Sequence, residues 1–221
     1  LYRVCIAMRG MAKANLGYLD LKLSNVMCNL RLTYTGKIIV TDVKVIDIDG
    51  LQDLTGAPEA ATYPPVEYWA LGSGDGTPPS DTPCNAQTCA WTLGVFALLW
   101  MSPSVDRICA FSYHTLNELG EWVTPPEHGD TEKAKALLLH AQDLIEEVFP
   151  NARPEELTVL RAIFDPAVDP RLRSDDVPVS RPGVLKVVEV LMKYLQRLKS
   201  ASYLPRCWFR SKRSEGSYIT L

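Results

Sequence analysis

The chain has little histidine, no apolar run of bilayer length, no strong charge of either sign and no internal repeat. Each shortage removes a class of function. Its three histidines are scattered, and of its six cysteines (5, 28, 84, 89, 109 and 207) only Cys84 and Cys89 lie close, spaced C-x4-C. No second pair has metal-ligand spacing, which argues against a zinc site. The longest apolar run, about Ala90 to Met101, is too short to cross a hydrocarbon core of roughly 30 Å and reads as a buried helix. A net charge of -3 gives no global pull toward nucleic acid or a membrane surface. The first residue is Leu1, with no signal-type n-region or h-region after it, and the chain opens inside what reads as a helix. The expectation is that more chain precedes it, so targeting is not legible.

What is present suits a globular protein: 221 residues, 47% hydrophobic and 22% charged. That length fits one domain or one large piece of a two-domain protein. Residues 3 to 16 place Val4, Met8, Met11 and Ala12 on one helical face, and Gly17 then reads as a C-terminal cap. Two β-rich runs, 26–28 and 37–41, flank "NLRLTYTG", which predicts a hairpin with a long loop. Residues 43 to 66 have no steady period, and 72 to 88 are loop by composition. Helices are predicted at 89–101, 131–149, from Pro154 through "PEELTVLRAIF", and at 183–198. The tail from Lys199 carries Arg206, Arg210, Lys212 and Arg213. It reads as a solvated basic segment, so the domain is drawn at 1–198 and the tail at 199–221. The fold class is therefore α+β, mainly α-helical. Trp69, Trp91 and Trp100 read as core, as does a Leu137-Leu138-Leu139 face on the 131–149 helix. Cys84 and Cys89 admit either a disulfide, in an exported protein, or free thiols.

The chemistry concentrates at the hairpin. Asp20, Lys22 and Asn25 precede its first strand and Asp42 follows its second. A tight hairpin would bring all four to one edge. Asn and Asp supply hard oxygen ligands suited to Mg2+. Asp20 can orient a hydroxyl and accept its proton. Lys22 can neutralise charge on a transferring phosphoryl group. Acid, lysine, amide, hairpin, acid is the layout of a catalytic loop followed by a metal-binding loop.

On these residues the chain resembles the protein-kinase C-terminal lobe, over most of its length. "YLDLKLSN" is similar to the H-R-D-L-K-x-x-N loop, with Tyr18 and Leu19 in place of His and Arg. "GKIIVTDVK" is similar to the strand entering D-F-G, with Val43 and Lys44 replacing Phe and Gly. "YPPVEYW" resembles the end of the activation segment and keeps Glu67. "CAWTLGVFALLW" resembles the buried F helix, keeping Trp91 and Gly94, with Cys89 in place of Asp. "DPRLRS" resembles the late D-P-x-x-R turn, whose arginine would pair Glu67 with Arg173. "VIDIDG" offers Asp47 as a rival metal ligand. Spacing favours Asp42: it lies 17 residues after Asn25 and 25 before Glu67. The literal "APE" at Ala57-Pro58-Glu59 lies too near the metal-binding loop and is set aside.

The resemblance implies a kinase-like C-terminal lobe whose short β-hairpin carries the catalytic and metal-binding loops. It implies ATP and Mg2+ as cofactors, with Asp20 and Lys22 catalytic, Lys22, Asn25 and Asp42 binding the nucleotide, and Asn25 and Asp42 (or Asp47) holding the metal. Lys22 two residues after Asp20 is the serine/threonine pattern. The implied activity is transfer of the γ-phosphate to Ser or Thr of a protein. The alternative is a pseudokinase that acts as a scaffold or allosteric partner. Leu19 removes the usual partner of a phosphorylated activation loop. Lys44 would put a cation beside the metal. The phosphate-binding glycine loop and its lysine belong to an N-terminal lobe, so these residues alone are not expected to catalyse transfer. Rhoptry kinases and pseudokinases of apicomplexan parasites, or secretory-pathway kinases, are the groups it most resembles. Either implies an export route, in which Cys84 and Cys89 could pair.

Overall fold

The computed structural model describes residues 1–59, 61, 64–69, 82–102, 115–116, 122–123, 131–173 and 179–200. The loop at 72–81, the tail from 201 onward, Cys109, Cys207 and the Trp69 side chain lie outside the described residues.

The chain opens with helix α1 (Tyr2–Lys13), which buries Val4, Cys5 and Met8. Strand β1 (Leu16–Tyr18) follows, then a 3-10 turn at Leu23–Asn25 and a hairpin of β2 (Val26–Leu32) and β3 (Ile38–Val45). A second 3-10 turn, Ile48–Gly50, leads to β4 (Leu51–Asp53), which pairs antiparallel with β1. Short elements come next: β5 (Pro58–Glu59), α2 (Val66–Trp69) and β6 (Thr82–Pro83), with β5 paired to β6. The long helix α3 (Ala86–Met101) precedes a small ladder of β7 (Thr115–Leu116) and β8 (Trp122–Val123). Helices α4 (Thr131–Val148), α5 (Pro154–Ala162) and α6 (Val184–Ser200) complete the order. The described strands form four two-stranded antiparallel ladders, so the class is α+β and mainly helical. No helix among the described residues is long and apolar enough to cross a membrane.

Helix α3 is the axis of the core. Every residue from Thr88 to Leu99 is buried, as expected of a helix apolar on all sides. Asn85 caps it in a reciprocal box with Thr88, which starts the helix three residues earlier than the apolar run suggests. Gly94 has a packing reason. A Cβ there would stand 2.9 Å from Ile163 Cγ2 and 3.2 Å from Phe164 Cζ, so the chain after α5 can approach only a bare backbone. Trp91 meets Phe164 edge-on, with ring centroids 5.0 Å apart. Helix α6 packs on α1 and α3 through Val184, Val187, Val188, Leu191 and Tyr194.

Several local expectations are corrected. Gly17 does not cap α1. Asn15, at φ 61°, takes the left-handed position, which asparagine tolerates. Gly17 sits inside β1, where a Cβ would meet Cys84 Sγ at 2.4 Å and Cys89 Sγ at 3.0 Å. Those two cysteines lie together as buried free thiols, and contact with Cys84, together with burial, pushes the Cys89 thiol up. On α4, Leu138 is buried but Leu139 is exposed, so the triple-leucine face does not pack as one. Trp91 is fully buried, and Trp100 is partly buried against the core.

Candidate functional site

The hairpin is longer and tighter than the composition suggested. Only the base of β2 alternates, with Val26 buried and Cys28 half-buried about an exposed Met27; from Asn29 to Leu32 every residue is exposed, the two leucines included. The turn closes over Thr33–Lys37: Thr33 N–H donates to Lys37 O at 2.7 Å, and Gly36 takes φ +75°. A bulge between Asn29 and Leu30 shifts the register once.

That register moves Asp42 away from the edge it was expected to share with Asn25. Asp42 lies opposite Asn29 within β3, and the residue bonded to Asn25 is Ile46, whose N–H donates to Asn25 O at 2.9 Å. The carboxylate of Asp42 is occupied locally. Its Oδ1 accepts from Val43 N–H at 2.9 Å, and its Oδ2 lies 3.9 Å from the exposed Lys44 Nζ. The acid that leaves the hairpin beside the catalytic-type loop is Asp47. β3 runs on to Val45, and the chain returns at once through a 3-10 turn to pair with β1.

The loop residues converge as expected. Tyr18, Leu19 and Leu21 are buried, which anchors the backbone and leaves Asp20 and Lys22 on the water side. Lys22 Nζ donates to both Asp20 oxygens, at 3.0 and 2.9 Å. Asn25 is buried, and its Nδ2 reaches Asp20 Oδ2 at 2.8 Å, Asp20 O at 3.0 Å and Tyr18 Oη at 3.0 Å. Its amide oxygen has no hydrogen-bond partner among the described residues. Tyr18 Oη carries the network across the hairpin base to Asp47 O at 2.9 Å and Ile46 O at 3.1 Å. Burial pushes the Tyr18 phenol above its ordinary range. Asp47 itself is exposed and holds φ 56° and ψ 53°, a left-handed conformation uncommon for a residue with a side chain.

A second polar cluster lies deeper. Glu67, at the start of α2, pairs with Arg181 rather than Arg173: Arg181 Nη1 donates to Oε1 at 2.6 Å and Nη2 to Oε2 at 3.2 Å. Arg181 Nε also donates to Ile163 O at 2.7 Å, and its guanidinium lies 4.9 Å from the Trp91 ring centroid. Arg173 turns the other way and donates to Ala167 O at 2.9 Å, while Arg171 Nη2 reaches Glu67 O at 3.2 Å. The D-P-x-x-R turn thus supports Glu67 from the side through its first arginine.

No protein family, curated protein or solved structure matches this chain. Among the described residues, no group of three or more His, Cys, Asp or Glu side chains is arranged to hold a metal. Asn25 and Asp20 are joined through their side chains, and Asp47 is tied to them through its backbone carbonyl. Sequence reading missed Tyr18 and Arg181. Within the loop motif Tyr18 reads only as a substitution. Arg181 lies 114 positions from its partner and carries no local signal.

Proposed function

We propose that this chain is the substrate-side half of a protein-kinase-like phosphotransferase. In this reading Asp20 is the base toward a Ser or Thr hydroxyl, and Lys22 is the phosphate-side cation. Asn25 and Asp47 hold a divalent ion bound with ATP. The observation that carries the reading is the single hydrogen-bonded network from Lys22 through Asp20, Asn25 and Tyr18 to the Asp47 backbone. Asp47 replaces Asp42 as metal ligand, because Asp42 is committed to Val43 and Lys44 several residues along the strand.

Each residue's part follows from its surroundings. Asp20 is held by Asn25 and charge-balanced by Lys22, so its carboxylate is oriented before a hydroxyl arrives. It accepts the hydroxyl proton as the nucleophilic oxygen attacks. Lys22 is within reach of the same carboxylate and can turn its ammonium toward the equatorial oxygens of the phosphoryl group. A Mg2+ bound with ATP would supply charge neutralisation there. The nucleotide's other side must be held by residues outside this half-site, since positioning of the triphosphate is most of the catalysis.

A second reading, a pseudokinase, is favoured by one observation: both Asp20 oxygens already accept hydrogen bonds from Lys22. In that case the network is structural and the chain works as a scaffold or allosteric partner of another protein. The test uses the full-length protein, Mg2+, ATP and Ser/Thr peptides. Asp20→Asn should lower transfer by about 10²- to 10⁴-fold while leaving nucleotide binding in place. Asp47→Asn should abolish the Mg2+-dependent part of nucleotide binding, and Asp42→Asn should spare it. Equal, background transfer by wild type and Asp20→Asn, with metal-dependent nucleotide binding intact, selects the pseudokinase. Absence of nucleotide binding by wild type refutes the phosphotransferase and leaves the scaffold reading.

A further inference from the structure

We infer that the outer edge of β2 receives an added strand from a partner protein, an extended segment in which apolar and acidic residues alternate. The inference stands apart from the phosphotransferase reading and concerns the far half of the hairpin. Beyond Cys28 the hairpin leaves the core, and Leu30, Leu32, Ile38 and Val40 are all exposed. Leu30 lies opposite Val40 and Leu32 opposite Ile38, so the four make one aliphatic block on a single face. At the base the same face carries Val26, Cys28, Val43 and Val45, which pack on the core. The bulge preserves that face: with no extra residue in β3, Thr41 rather than Val40 would fall opposite Leu30. An apolar face carried past the core and left bare marks an interaction surface.

The backbone says which side of the hairpin is open. β2 and β3 form a two-stranded ladder, so among the described residues neither has a strand on its outer side. Thr33 N–H points inward, to Lys37 O at 2.7 Å. By alternation the N–H and C=O of Leu30 and Leu32 point outward, a template for antiparallel addition. A strand added there sets its side chains alternately beside Leu30 and Leu32 on one face and beside Arg31 on the other. Charge selects the occupant. From Asn29 to Thr41 the chain has two cations, Arg31 and Lys37, and no acid, in a protein of net charge -3. An acid opposite Arg31, flanked by apolar residues opposite the leucines, is complementary on both faces. A second copy fits less well, because two β2 edges paired about Arg31 set like charges opposite each other. A lipid surface fits less well again, because hydrocarbon offers nothing to the outward backbone groups.

The test uses full-length protein and two fluorescein-labelled nine-residue peptides, one alternating valine with glutamate and one alternating valine with lysine, followed by fluorescence anisotropy. Wild type should bind the glutamate peptide saturably and the lysine peptide about tenfold more weakly. Arg31→Glu, a change at an exposed position, should reverse that preference while the α3 amides keep their protection from hydrogen exchange. N-methylation of the valine amides, which face β2, should abolish binding, and N-methylation of the glutamate amides, which face away, should spare it. General apolar adhesion gives no such pattern. Equal affinity for the two peptides, equal effects of the two methylation patterns, or an unchanged preference in Arg31→Glu overturns the inference. So does any sign of another occupant: a dimer in sedimentation velocity that Leu32→Thr disperses, binding to phosphatidylserine vesicles lost in the same variant, or protection of the Leu30 and Leu32 amides in the protein alone.

Discussion

Two charged clusters organise this chain, and water reaches them differently. At the Glu67–Arg181 pair the side chains are 12% and 3% exposed; at the Asp20–Lys22 pair they are 28% and 35% exposed. Arg181 is also bonded to Ile163 O and covered by Trp91, so its charge has protein partners on several sides. The open pair keeps one face toward solvent and rests on buried neutral groups, Asn25 and Tyr18. The difference separates roles. A buried pair can hold elements together but cannot receive a ligand. An exposed pair adds little to stability and remains free to meet one.

The largest expected effect lies in the buried cluster. Glu67→Gln leaves a guanidinium in a low-dielectric site with its partner's charge gone, at a cost of about 3–5 kcal/mol. Arg181→Lys should cost nearly as much, because an ammonium cannot make the two-pronged contact, bond Ile163 O and cover Trp91 together. Arg173→Ala loses one hydrogen bond to Ala167 O and should cost about 1 kcal/mol. Urea unfolding of the three variants decides the ranking. An Arg173 effect equal to that of Arg181 would restore the pairing the motif suggested and abolish the contrast.

That reversal shows what sequence can carry. Helix α6 is legible because its apolar residues recur at helical spacing, a period that survives without knowledge of the rest of the fold, and α3 because an unbroken apolar run of its length reads as a buried helix. The Asp20–Lys22–Asn25 grouping was legible because it lies within six residues. The Glu67 partner was not, since two arginines of similar chemistry lay within eight residues and only packing on Trp91 and Ile163 selects one. The place of Asp42 was illegible for a related reason. Counting residues to the metal-binding loop assumes a hairpin length, and here the length is set by a five-residue turn and a bulge. Gly17 reads as a helix cap and Gly94 as a kept position of the buried-helix motif, yet each is bare because a neighbour from a distant segment needs the space.

A third pair sharpens the comparison from the middle. Glu156 on α5 is 6% exposed and accepts from Arg197 on α6, which is 32% exposed. The Arg197 hydrogen bonds hold the Glu156 carboxyl below the usual range, against the opposing push of burial. A carboxylate whose folded pKa is depressed contributes stability that is present above its unfolded value, about 4.3, and lost as pH falls through the folded value. Arg197→Met should therefore cost about 1–3 kcal/mol at pH 7. The gap from wild type should narrow as pH drops below about 4.3, where the unfolded carboxyl takes up its proton first. Thermal melts of both proteins from pH 7 to pH 3 read this directly. A gap that stays constant across that range would mean Arg197 acts through packing on Tyr194 rather than through charge.

The smallest effects belong at the water-facing end. Asp20→Asn and Lys22→Met should each change stability by less than about 1 kcal/mol, in line with exposed ion pairs. Asp42→Asn and Lys44→Met should change it by about 0.5 kcal/mol or less, since their side chains are 41% and 72% exposed and meet at 3.9 Å. The two near-silent pairs then part company in function. Asp20 and Lys22 share a network with Asn25, Tyr18 and the Asp47 backbone, whereas Asp42 answers only to its neighbours in β3. Loss of metal-dependent nucleotide binding in Asp42→Asn, with Asp47→Asn unaffected, would move the metal ligand back along the strand. It would also require β3 to slide by several residues relative to β2, a shift that turns Val43 and Val45 away from α1 and that amide exchange across the hairpin would reveal.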